Sequence, residues 1–145
     1  MMQPQRRELE TVILRRYFSP DAFVWQTKGK CEWLDIGIKT QSDAVYRLNV
    51  MIPSDYPNSC PALWVVYPNP LRFRSGVILD GPSHDMHTLE RTSSGLRICH
   101  YEPGEWSPNH TLYRVVLKGR LWLECYEAHL RTGKTIDELS GGMWL

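Results

Sequence analysis

The chain has 145 residues, of which 42% are apolar and 23% charged, and its formal net charge is +1. That length buries a core in one domain without staples, and the balanced charge gives no electrostatic case for nucleic acid or an anionic membrane as the main partner. No run of about 18 apolar residues is available to span a bilayer, and the start MMQPQRRELE lacks the apolar segment of a secretory signal, so a cytoplasmic protein is expected.

The first stretch, PQRRELETVILRRYFSPD, predicts a helix. Leu9, Val12, Ile13 and Tyr17 recur at the spacing of one apolar face, with Arg and Glu opposite, and Pro20 ends the run. From Ala22 to Tyr67 the period falls to two. Segments such as CEWLDIGIKT, AVYRLNVMI and ALWVVYP are rich in Val, Ile, Trp and Tyr and are parted by turn residues. Val45, Arg47, Asn49 and Met51 alternate with Tyr46, Leu48, Val50 and Ile52, which predicts one buried face. Short connections between such segments favour an antiparallel meander.

Residues 68–111 carry almost no periodicity and are broken by Pro and Gly throughout. A structureless run of that length inside a compact domain reads as functional, with room for a short strand at VILD or LRIC. A second helix is predicted from Thr111, a good N-cap, to about Leu130, with Gly133 near its stop. Leu112, Val115, Val116, Leu123, Tyr126 and Leu130 share its apolar face. The tail KTIDELSGGMWL holds at most a final turn, and Gly141-Gly142 reads as a frayed terminus. No repeat or second domain is evident, so the expectation is a single α+β domain over 1–145.

The four cysteines, Cys31, Cys60, Cys99 and Cys125, form no C-x-x-C pair, which argues against a zinc knuckle or a dithiol motif. Cys125 falls mid-helix and reads as packing, Cys31 as a strand residue and Cys60 as a turn residue. Cys99 differs. It follows a short apolar step in GLRICHYEPGEWSP and then enters a stretch that is neither helix nor strand. A nucleophilic thiol needs access and an electropositive setting, and Arg97 and His100 flank it. His84, Asp85 and His87 resemble metal ligands at a glance, but no further ligand has clear spacing, so no metal and no cofactor are expected. A Cys-His-Asp hydrolase is one chemistry open to Cys99; an acyl carrier is another.

Two stretches resemble the ubiquitin-conjugating (UBC) family. YRLNVMIPSDYPNSCPALWVV is similar to that family's strand, Pro-rich turn and strand, and SGLRICHYEPGEWSP to its segment around the acceptor cysteine. WLECYEAHLRTG, from Trp122 to Gly133, and the Tyr101–Trp106 step resemble the bacterial branch, associated with anti-phage defence operons of the cyclic-oligonucleotide (CBASS) type. The likeness covers roughly residues 5–134, leaving a tail at 135–145. It implies a UBC-like fold: N-terminal helix, antiparallel meander, long active-site loop and core helix.

The resemblance also implies a transferase. Cys99 would carry the C-terminus of a partner protein as a thioester, the cargo being a CBASS nucleotidyltransferase or a ubiquitin-like protein, and pass it to a lysine or cysteine of an acceptor. A separate activating enzyme would spend the ATP, since the chain has no G-x-x-x-x-G-K-[ST] loop. His87 aligns with the family histidine, but Thr-Leu follows it where eukaryotic members have Pro-Asn. The oxyanion donor is then sought in His87, loop amides, Asn109 or His110, and an acid near the incoming amine in Asp85 or Glu102. The alternative is a non-catalytic protein-binding module of the same fold.

Overall fold

Helix α1 (Pro4–Tyr17) opens with a proline in its first turn, where the missing N–H goes unneeded. A 3-10 turn at Pro20–Ala22 then leads into the sheet. The computed structural model describes residues 1–141; 142–145, which hold the second residue of Gly141-Gly142, lie outside the described residues. The apolar face expected of α1 is not the one it buries. Leu9, Val12 and Tyr17 are exposed, whereas Glu10 and Leu14 are fully buried. The reason is chemical: the surface under α1 offers hydrogen-bond donors, so a carboxylate is better solvated there than an alkyl chain is. Tyr17 keeps a partner by stacking on Tyr113, with ring centroids 3.9 Å apart.

The alternating segments form strands β1 (Phe23–Lys28), β2 (Cys31–Lys39), β3 (Val45–Ile52) and β4 (Ala62–Tyr67). They make the expected antiparallel meander, with Leu34 opposite Val50 and Val50 opposite Leu63. Two further strands come from the stretch without periodicity: β5 (Thr88–Thr92) and β6 (Gly95–Ile98). The six-stranded order is β1-β2-β3-β4-β6-β5, so β6 sits between β4 and the edge strand. LRIC thus supplies a strand, while VILD makes only an isolated bridge from Ile78 to Arg72.

Helix α2 (Leu112–Thr132) is capped by the Thr111 hydroxyl, which accepts from the Arg114 N–H, and closed by Gly133 in the left-handed region at φ 78°. Its apolar face lies on the inner face of the sheet. Leu112, Val115, Val116 and Leu123 are fully buried with Leu34, Ile36, Leu48, Val50, Leu63 and Val65. Gly119 permits close approach, because a Cβ there would meet Leu48 Cδ1 at 2.8 Å and Leu63 Cδ2 at 3.0 Å. Leu130, expected on this face, is instead partly exposed near the helix end. Cys125 is buried, as its mid-helix position implied.

The aromatic run of α2 has a second task. Trp122 Nε1 donates to the Met86 carbonyl at 3.0 Å, Tyr126 Oη bonds the Arg72 backbone at both N and O, and His129 Nε2 accepts from the Arg74 N–H at 3.0 Å. Three side chains at helical spacing thereby satisfy backbone groups of the long excursion between β4 and β5. A short helix, α3 (Ile136–Ser140), follows. Among the described residues no helix is long and apolar enough to cross a membrane.

Candidate active site

Strand β6 ends at Ile98, and Cys99 is the first residue beyond it. The thiol is half-buried and lines a cavity of about 220 Å³ together with Cys60, Arg97, His100, Glu102 and Trp106. One backbone bond fixes it: the Cys99 N–H donates to the His87 carbonyl at 2.9 Å. The loop after Cys99 is held by packing. Tyr101 meets Trp106 edge-on at 5.2 Å and stacks on His110 at 5.6 Å, and the Lys118 ammonium lies 4.3 Å from the Tyr101 ring centre. Trp106 Nε1 donates to the Pro57 carbonyl at 2.8 Å, which ties the loop to the turn between β3 and β4.

Helix α1 holds the far end of the same loop. Arg6 donates to the Pro108 carbonyl at 3.0 Å and to the His110 carbonyl at 2.6 Å. Glu10 accepts from the Leu112 N–H at 3.1 Å, from Arg6 Nε at 3.0 Å and from the Tyr56 hydroxyl. Its carboxylate therefore satisfies an N–H at the start of α2 that has no partner within the helix.

His87 positions Cys99 through its backbone carbonyl. Its Nε2 donates to Asp137 Oδ1 at 2.8 Å, and the Asp137 N–H donates to the Asp85 carbonyl at 2.9 Å. His84 Nε2 stands 3.9 Å from the same carboxylate oxygen. His87 is also a non-glycine residue in the left-handed region, at φ 51°, a conformation kept where surrounding contacts over-determine it. The imidazole thus anchors α3 to the β5 approach, while the carbonyl positions Cys99. Replacing His87 with glycine, which accepts that φ, should leave the alkylation rate of Cys99 within about threefold of wild type. An imidazole acting on the sulfur as a base would instead be worth about 10²–10⁴-fold; iodoacetamide labelling followed by mass spectrometry reads the difference.

The other residues singled out in the sequence divide. Glu102 is brought to the cavity with Cys99, and His110 is packed against Tyr101 and Trp106. Asp85 contributes its carbonyl to α3, and the Asn109 N–H donates to Ser107 Oγ at 3.2 Å. Among the described residues no group of three or more His, Cys, Asp or Glu is placed to hold a metal ion. The flanking pair also divides. Arg97 favours the Cys99 thiolate, but His100 points inward, is buried, and sits beside Cys60 with Nε2 3.6 Å from that sulfur. Burial lowers the His100 imidazole to about 4, so it is neutral at pH 7 and offers Cys99 no positive charge.

Burial also pushes the Cys99 thiol above its ordinary value; Arg97 opposes this and Glu102 adds to it. The alkylation rate of Cys99 should therefore keep rising with pH beyond the ordinary thiol range. Arg97→Gln should move the profile to still higher pH, because it removes the opposing cation. Glu102→Gln should move it to lower pH. A profile insensitive to both charges would show that neither faces the sulfur.

Sequence reasoning missed Cys60, Arg6, Glu10 and Asp137 as parts of this region. Cys60 carried a faint signal, a thiol in the very turn that packs beside the Cys99 segment. The other three become visible only once the chain is folded. In comparisons with known proteins, the chain matches no family model, no curated protein and no solved structure.

Proposed function

We propose that the protein is a ubiquitin-conjugating-like transferase with a UBC-type fold, in which Cys99 carries the C-terminal acyl group of a partner protein as a thioester. The observation that carries the reading is the setting of Cys99. It is a half-buried thiol at the end of a strand, pinned through its backbone, in a small open cavity between a Pro-rich turn and an aromatic loop. In the forward step the Cys99 thiolate attacks the activated acyl carbon delivered by an activating enzyme and expels that enzyme's leaving group. In the second step an acceptor amine attacks the thioester carbon, the C–S bond breaks, and the thiol is regenerated as the amine loses a proton. Glu102 is the acidic side chain near enough to the cavity to take that proton. Family resemblance supplies the cargo: a nucleotidyltransferase of a defence operon or a ubiquitin-like protein.

A second reading, a non-catalytic binding module of the same fold, is favoured by one observation. Burial raises the Cys99 thiol above its ordinary value, whereas the thiol of a committed nucleophile is usually lowered. The test is intact mass of the protein co-expressed with its operon neighbours, with and without reductant. An adduct that reductant releases supports the carrier and names the cargo by its mass. No adduct, even with an activating enzyme and ATP supplied, supports the module.

A further inference from the structure

We infer that Cys60 and Cys99 are a redox pair, joined by mild oxidation into an internal disulfide that closes the cavity and blocks Cys99. The inference rests on the placement of the two thiols and not on the carrier reading. Both residues line the same cavity of about 220 Å³. Leu63 of β4 lies opposite Ile98 of β6, so the segments that carry Cys60 and Cys99 leave the sheet side by side. His100, the residue after Cys99, places its Nε2 3.6 Å from Cys60 Sγ. Closure brings the two Cα atoms to roughly 4.4–6.8 Å, at a point where both segments have left regular pairing and the Cys99 loop turns through Gly104 at φ 87°.

The chemistry balances with hydrogen peroxide as the oxidant. The Cys99 thiolate attacks the peroxide O–O bond, becoming a sulfenic acid as hydroxide leaves and takes up a proton to become water. Cys60 then attacks that sulfur, the S–O bond breaks, a second water forms, and two thiols have lost two electrons to one peroxide. The Cys60 proton goes to the departing hydroxyl, which leaves as that second water. The same disulfide and the same two waters result if Cys60 attacks first and Cys99 resolves.

The full chain, reduced and then treated with stoichiometric hydrogen peroxide, is alkylated under denaturing conditions and mapped by mass spectrometry. The expected result is a monomer about 2 Da lighter before alkylation, with Cys31 and Cys125 alkylated and a single peptide cross-link between Cys60 and Cys99. Reductant should restore all four of the chain's thiols. In Cys60→Ser the cross-link should vanish, with Cys99 stopping at the sulfenic acid and reaching the sulfinic acid only with a second equivalent of peroxide. The inference is overturned if wild-type Cys60 stays alkylatable while Cys99 is over-oxidised, or if the cross-links run between molecules through the exposed Cys31. The wild-type map decides the matter whether or not the serine variant folds.

Discussion

Cys99→Ala is expected to abolish the reductant-sensitive adduct completely, and Cys99→Ser to replace it with one that reductant no longer releases. Both outcomes follow from the atom at the centre. A thioester is cleaved by added thiol, whereas the oxyester formed by serine in the same place is not, and alanine has no nucleophile to offer. The substitutions are small and the residue is only half-buried, so neither should cost the fold much. Thermal unfolding of both variants, expected close to wild type, separates lost chemistry from lost structure. A binding module would behave differently: its partner affinity, measured by calorimetry, would be unmoved by either change. If the adduct survives in Cys99→Ala, the carrier thiol lies elsewhere. Cys60, in the same cavity, is then the next to be replaced.

What was legible in the sequence is what local chemistry decides. The four strands of the meander were visible because alternation across a half-buried sheet is imposed residue by residue, and α2 because Thr111 and Gly133 mark its two ends in side chain and in backbone conformation. Cys99 stood out because a thiol in a stretch without periodicity needs an explanation other than packing. The hidden parts depend on partners far along the chain. His87 finds Asp137 50 residues later, and the Glu10 carboxylate finds the Leu112 N–H 102 residues later. Periodicity cannot report such pairs, so α1 was read with its exposed apolar side inward and the Asp137 partner of His87 stayed hidden. His100 shows a third limit. It neighbours Cys99 in sequence, but its imidazole is buried and lies beside Cys60 instead. β5 and β6 were hard to see because they are short, and β5 reads TLERT, with little apolar content.

Glu10→Ala is expected to be the most destabilising single change at the surface between α1 and the loop that follows Cys99. The carboxylate is fully buried and gathers the Arg6 guanidinium, the Tyr56 hydroxyl and the Leu112 N–H around its two oxygens. Removing it leaves Arg6 without its counter-ion and the Tyr56 hydroxyl and Leu112 N–H without this acceptor. Each buried polar group left unpaired costs about 1–3 kcal/mol, which for a domain of this size lowers Tm on the order of 10 °C. Glu10→Gln should recover part of the loss, because an amide oxygen still accepts one bond although the charge is gone. Arg6 also holds the carbonyls of Pro108 and His110, so the damage should spread to the segment that frames Cys99. Hydrogen exchange of the amides from Trp106 to Leu112 should quicken in Glu10→Ala well below the unfolding temperature, together with faster alkylation of Cys99. If Glu10→Ala unfolds no earlier than wild type, the carboxylate is solvated in solution and α1 is not the latch on this loop.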